Sequence, residues 1–582
     1  MAGTFEIKDT FYLNGKPFQI LSGSIHYLRI VPQYWRDILE KLNAMGLNTV
    51  ETYIPWNVHE PKKGTFLFEG MADVVSFVKL AGELGLYVIL RPSPYICAEW
   101  EFGGLPGWLL AEKGMQVRSS SPAFLRHVRE YYEVLLPLLK PLQITEGGNV
   151  ILMQVENEYG YFADDAAYLE TIKKLLQDGG INVPLITSDE PKAESILGGR
   201  VEGALPTGNF GSKTRERFEV LKEFTQGGPL MCAEFWVGWF DHWGNGGHMT
   251  GNLKESAADL EEMVRLGHVN IYMFIGGTNF GFMNGSNYYD QLSPDVTSYD
   301  YDAVLTEAGD FTEKYYRYQE ILRKVTDIPE VKLTAQIGKK AYGRVAVRER
   351  VGLKQALSEL SKPVESLQPQ SMERLGQSYG YILYTSPVRI ERNLERIRLW
   401  EANDRANIFL GEKRLLNLYD RELLSEHKLA QEAREGEEIA ILVENMGRVN
   451  FGPMMNRQRK GIDGCVQING HMHTGWKQYP LPLEHLERLD YTKGYTEGMP
   501  AFYRFVLEVE EPGDTFLELD GWGKGCVFLN GFHLGRFWEI GPQKRLYVPA
   551  PLLRRGRNEI VVFETEGKTA EEICFYDAPD LG

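Results

Sequence analysis

The 582-residue chain has no apolar run approaching the roughly 20 residues needed to span a bilayer, which excludes a membrane-spanning helix. Cysteine is scarce: Cys97, Cys232, Cys465, Cys526 and Cys574 are scattered, odd in number and form no CxxC pair. That set excludes a disulfide framework and a thiolate zinc cluster, and reads as reduced, mostly buried thiols. Basic residues are short too, 63 Lys and Arg against 80 Asp and Glu, for a formal net charge of −17. A field of that sign repels phosphate backbones and anionic surfaces, so neither nucleic acid nor a membrane is an expected partner.

Several chemical signatures are missing. There is no P-loop, no H-E-x-x-H, no G-x-S-x-G elbow and no G-x-G-x-x-G after the first strand. His471-Met472-His473 falls in an expected loop without a third ligand at sensible spacing, so no metal is expected, and no cofactor. The start, Met1 to Lys8, lacks the basic and apolar segments of an export signal and passes into a hairpin marked by Asn14-Gly15. The expected location is the cytoplasm.

Apolar residues at 43% and charged residues at 25% are ordinary for a soluble globular protein with large cores. The length suggests two to four domains at about 100–200 residues each. Aromatics are abundant at 12%, and such faces either hold flat ligands such as sugars or fill cores.

Over residues 1–325, short apolar strands alternate with amphipathic helical stretches such as Gln33–Met45, Met71–Leu84 and Pro122–Leu139. Strands are expected at Phe18–Ile25, Thr49–Ile54, Val88–Arg91, Val150–Val155, Leu185–Ser188, Leu230–Glu234 and Ile271–Ile275, with a weak eighth around Arg200–Ala204. This alternation fits a (β/α)8 barrel or a doubly wound sheet, and the missing dinucleotide fingerprint favours the barrel. Residues 326–380 read as a linker with isolated strands. Two β-sandwiches follow, 381–480 and 481–582, built from short strands and turns. A weak repeat relates Asn403–Gly411 to Gly521–Gly531, each followed by an apolar strand, Gly436–Glu444 and Gly556–Glu564.

Catalytic groups of a barrel sit at the C-terminal strand ends. Two expected strands end in carboxylates: the fourth runs into Glu156-Asn157-Glu158 and the seventh into Glu234. Retaining glycoside hydrolysis needs one carboxyl to protonate the leaving oxygen and another, about 5–5.5 Å away, to attack the anomeric carbon. Asn157 is then placed to hydrogen-bond a sugar 2-hydroxyl. Arg91, ending strand three, reads either as a group orienting these carboxylates or as a buried structural ion pair. His26 and His59 read as structural.

The segments Tyr53–Pro61, Arg91–Trp100, Gln154–Gly160, Gly276–Gly281 and Thr297–Ala303 resemble β-galactosidases of glycoside hydrolase family 35. The likeness continues through Val443–Gly452 and the last domain, whose jelly roll resembles galactose-binding domains. It implies a retaining exo-β-galactosidase with Glu158 as acid/base and Glu234 as nucleophile. Tyr53, Cys97, Ala98, Glu99, Asn157 and Tyr301 match positions lining the galactose site, with Tyr299 a further candidate contact. Cys97 and Ala98 would act through their backbone. Phe282-Met283 departs from the family pattern of tyrosine and tryptophan, and is expected to remove a hydroxyl contact and alter the pocket wall. Three tryptophans follow Glu234, so Trp236 or Trp239 is expected to form the leaving-group subsite, with Phe451 closing the pocket. Compact members of this kind favour β-1,3-linked galactose, and a homodimer is the expected partner state. The rival readings are the same machinery on another terminal sugar, such as glucosamine, a carbohydrate-binding protein with an inert barrel, or a transglycosylase.

Overall fold

The computed structural model describes residues 2–335, 337–389 and 392–582. An antiparallel sheet of Phe5–Ile7, Phe11–Leu13 and Lys16–Pro17 opens the chain. Its Asn14-Gly15 turn has φ of 51° and 76°, the positive pair that a two-residue hairpin of matching twist requires.

Eight parallel strands then close a barrel: β1 Leu21–Ile25, β2 Thr49–Tyr53, β3 Tyr87–Arg91, β4 Val150–Asn157, β5 Leu185–Asp189, β6 Ala204–Asn209, β7 Met231–Trp236 and β8 His268–Ile275. Strands covered on both faces need near-continuous burial, and all eight residues of β4 and of β8 are buried. The sixth strand lies beyond its expected position. Gly203, at φ 79°, turns the chain just before it, and the strand's own Pro206 and Gly208 disguise it in the sequence. Helices pack outside as their periodicity predicts, among them Trp35–Met45, Val74–Glu83 and Pro122–Leu139.

Two β-sandwiches complete the molecule. In the first, a six-stranded sheet that includes Tyr381–Pro387, Glu438–Glu444, Arg405–Leu410 and Lys413–Tyr419 shares a core with a four-stranded sheet. The second has a five-stranded and a four-stranded sheet. The weak repeat has a structural counterpart: Glu438–Glu444, Arg405–Leu410 and Lys413–Tyr419 neighbour one another in the order taken by Gly556–Glu564, Lys524–Leu529 and Phe532–Trp538.

Two expectations are corrected. The strands within 326–380 are not isolated: Gly343–Ala346 pairs with Glu572–Tyr576, Glu349–Gly352 with Ala501–Val509, and Val364–Ser366 with Trp476–Leu481. They are short edge strands with charged outer positions, which mask the apolar period. His471–His473 is also a strand rather than a loop, paired with Val466–Ile468.

The sandwiches are fastened to the barrel by buried ions. Arg448, with its side chain fully buried, bonds Glu101 of a barrel loop at 2.6 Å and Glu373 at 2.5 Å. Glu444 of the first sandwich takes Lys524 at 2.6 Å and Arg536 at 2.8 Å from the second, and Arg536 also donates to Asn284 of a barrel loop. Between these clamps, Val449–Phe451 pairs in parallel with Ser286–Tyr288, which follows β8, so a sandwich loop reaches the barrel mouth.

Removing one member of such a buried cluster leaves the others uncompensated. Arg448→Met should therefore destabilise the fold by about 3–5 kcal/mol, read as a lower urea midpoint for the barrel–sandwich unit. A shift below about 1 kcal/mol, the value of an exposed pair, would show that Arg448 is not a clamp.

Candidate active site

Glu234 lies near the end of β7, just past an irregularity in its pairing with β6. Its Oε1 accepts from the Tyr53 hydroxyl at 2.5 Å and faces Arg91 Nη1 at 2.8 Å, while Oε2 accepts from Trp236 Nε1 at 3.0 Å. Every partner is a donor or a cation, the surroundings of a carboxylate anion. Arg91, at the end of β3, also donates to Asn157 Oδ1 at 2.8 Å and Gln154 Oε1 at 2.7 Å, and stacks 3.9 Å from the Tyr53 ring centre. Its Nη1 is 3.6 Å from Glu51. Both readings of Arg91 thus hold: it is a buried ion-pair member and it orients the site.

Glu158 follows β4 directly and adopts left-handed φ of 48°. Its N–H donates to Ser188 O at 2.8 Å, and its Oε1 accepts from Asn209 Nδ2 at 3.2 Å. Among the described residues no cation pairs with it. Burial, reinforced by the negative charge of Glu234, pushes its carboxyl up to about 8. The two carboxyls therefore occupy opposite environments, the separation that divides an acid from a nucleophile.

Cys97, Ala98 and Glu99 form a left-handed run, with φ of 59°, 56° and 47°. This conformation costs free energy for side-chain-bearing residues, and the surroundings hold it. Arg29 donates to Ala98 O at 2.6 Å, and Gly285 N–H donates to Glu99 O at 2.9 Å. Tyr299 donates to Glu99 Oε2 at 2.5 Å and lies under the Arg29 guanidinium at 3.8 Å. Burial raises the Glu99 carboxyl to about 7, with Tyr299 and Arg29 opposing it. The loop carrying both tyrosines presses onto glycines. A Cβ at Gly276 would stand 1.5 Å from Tyr299 O, and one at Gly238 1.8 Å from Tyr301 O.

These groups surround one cavity of about 250 Å³. Glu158, Glu234, Glu99, Asn157, Cys97 and Ala98 line it, with Tyr301. Trp236, Trp239 and Phe451 line it as well. Trp236 and Trp239 meet edge to face at 5.7 Å, and Phe451 stacks on Tyr161 at 4.8 Å. Tyr53 and Tyr299 are not in the lining; they stand behind it and hold Glu234 and Glu99. Tyr161, Phe240, Tyr272, Asn287 and Tyr289 line the cavity without having been expected there. Asn287 and Tyr289 come from the short strand Ser286–Tyr288 and the residue after it, which carry no apolar-run signal.

Phe282 takes no part in the wall. It packs on His533 at 4.3 Å under the Arg536 guanidinium, between barrel and sandwiches. His59 is a satisfied structural residue, bonded to Tyr27 and Leu67, and His26 contacts Arg29. Among the described residues no group of three His, Cys, Asp or Glu could hold a metal ion, and no helix is long and apolar enough to cross a membrane.

Comparison with known proteins agrees with this architecture. Residues 10–325 match the family model "Glycosyl hydrolases family 35". Residues 369–482 match "Beta-galactosidase, first all-beta domain" and 500–558 "Beta-galactosidase, galactose-binding domain". The chain is 42% identical to human "Beta-galactosidase-1-like protein 3", covering 99% of this chain and 88% of that protein. It is 40% identical to "Beta-galactosidase" of Xanthomonas manihotis, with 94% and 91% covered, and 40% identical to that of Mus musculus, with 98% and 94% covered.

The coupling of the carboxyls is measurable without substrate. In a carboxyl-labelled NMR titration, Glu158 should deprotonate near pH 8. In Glu234→Gln, which removes the neighbouring charge, its midpoint should move down. A midpoint that stays in place would mean that Glu234 does not act on Glu158.

Proposed function

The chain belongs to glycoside hydrolase family 35, and from that premise we propose a retaining exo-β-galactosidase that releases terminal β-galactose, preferring β-1,3 linkages. The observation that carries the mechanism is the contrast between two carboxyls in one cavity. Glu234 is held by Arg91, Tyr53 and Trp236, whereas Glu158 is buried without a cation. Glu234 attacks C1 of the galactose while Glu158 donates its proton to the departing oxygen, so the C1–O bond to the leaving group breaks as the Glu234–C1 bond forms. Glu158, now ionised, takes a proton from water. That water attacks C1, releases Glu234 and restores the starting state with the anomeric configuration retained.

The galactose end of the cavity offers matched polar groups. Asn157, whose Oδ1 is occupied by Arg91 and Tyr53, turns its amide towards a sugar hydroxyl beside the nucleophile. Glu99 supplies a carboxyl for other hydroxyls, and the pinned backbone of Cys97 and Ala98 supplies the rest. Beyond the carboxyls, Trp236, Trp239 and Phe451 make an aromatic exit suited to the apolar face of a second sugar. The walls on two sides limit how that sugar can be presented, which supports a linkage preference.

Wild type should release p-nitrophenol from the β-galactoside, and Glu234→Gln should lose several orders of magnitude in kcat. Proton NMR of the first product should show β-galactose before mutarotation. Disaccharide kcat/KM should be highest for the β-1,3 linkage. It should fall as pH rises through about 8, where Glu158 loses the proton it must donate. An initial α-anomer would overturn the double displacement, and wild-type preference for another aryl glycoside would overturn the sugar.

A further inference from the structure

The cavity wall carries a polar group for which the proposed mechanism has no use. Asn287 lines the cavity from Ser286–Tyr288, where its backbone sits next to Phe451. Its Oδ1 is 2.8 Å from His242 Nε2. The same ring nitrogen lies 3.3 Å from Asp295 Oδ1. Asp295 is a buried carboxyl, and neither of its oxygens finds a hydrogen-bond partner among the described residues. An amide oxygen only accepts, so the contact with Asn287 Oδ1 places the hydrogen on Nε2. The ring then donates to Asn287 Oδ1, which fixes the amide so that its Nδ2, without a partner among the described residues, faces the cavity.

We infer that Asn287 is a specificity-determining residue of the leaving-group subsite, donating a hydrogen bond from Nδ2 to an oxygen of the second sugar. His242 is its positioning residue. The inference rests on the galactosidase reading and deepens it. The aromatic walls accept any flat apolar face, an aryl group included, whereas a fixed amide donor distinguishes a leaving group that carries hydroxyl oxygens. A buried donor left unpaired disfavours an aryl leaving group, which makes Asn287 a selector for glycans over simple glycosides.

The test compares kcat/KM for β-1,3-linked galactosyl-N-acetylglucosamine with that for p-nitrophenyl β-galactoside and follows their ratio. In Asn287→Ala the ratio should fall about tenfold, the worth of one hydrogen bond in the transition state. Asn287→Asp, which has acceptors only, should fall as far. His242→Phe should lower the ratio and His242→Gln, which keeps a donor, should restore most of it, a rescue that a purely structural role would not produce. An unmoved ratio in Asn287→Ala, with wild type active on both substrates, overturns the assignment of Asn287 alone. An Asn287→Asp ratio at the wild-type value overturns the donor role. A wild type inactive on both galactosides overturns the galactose reading and this inference with it.

Discussion

A guanidinium buried at the barrel mouth holds the site in register. Arg91 is 1% exposed, and a charge so far from water persists only if it is paired. Its partners come from neighbouring and distant strands alike: Nε and Nη2 donate to Gln154 and Asn157 on β4, Nη1 is paired by charge with Glu234 on β7 and Glu51 on β2, and the guanidinium stacks on Tyr53 of β2. A planar fork can satisfy these partners together in few geometries. The strand ends carrying the nucleophile and its flanking amide are therefore fixed relative to one another by the same requirement that keeps the arginine buried. The stability of the barrel mouth and the alignment of its chemistry have one cause here.

The division of labour between the carboxyls follows from that placement. Arg91 reaches Glu234 and stops short of a direct pair with Glu158, whose only side-chain donor among the described residues is Asn209. A second cation beside Glu158 would make both groups anions and remove the acid. Tyr53 and Tyr299 belong to the same logic one layer back. Neither reaches the cavity surface, yet each hydroxyl donates to a carboxylate that does, Glu234 and Glu99 respectively. These tyrosines act by holding charge in place, and their own burial keeps them protonated for that purpose.

Much of this arrangement is legible in the chain itself, because the signals are local. Strand-end carboxylates follow apolar runs directly, as at Glu158 and Glu234, and seven of the barrel strands lie at or beside their expected positions. What escapes is non-local or locally unfavourable. β6 hides behind Pro206 and Gly208, which local propensity reads as a turn. The edge strand Glu349–Gly352 pairs across a gap of some 150 residues to Ala501–Val509, and Gly343–Ala346 pairs still further on with Glu572–Tyr576, separations no periodicity reports. Phe282 carries a motif position into the barrel–sandwich interface rather than the pocket, since its direction is set by Arg536 and His533 from the last domain.

The leaving-group side of the cavity depends on the assembly as a whole. Phe451 and its neighbour Asn450 belong to the first sandwich. They reach the site only because Val449–Phe451 adds itself to Ser286–Tyr288, and Asn450 then donates to Cys97 Sγ at 3.5 Å. The strand is adjacent to Arg448, whose bonds to Glu101 and Glu373 fix where it can lie. A barrel without its sandwiches would keep both carboxyls but lose Phe451 from the cavity lining. On the proposed mechanism, cleavage chemistry then rests on barrel residues, whereas discrimination among leaving groups draws on an interface as well. That separation lets loops of the β-domain alter what is released without disturbing the Arg91 cluster on which bond cleavage depends.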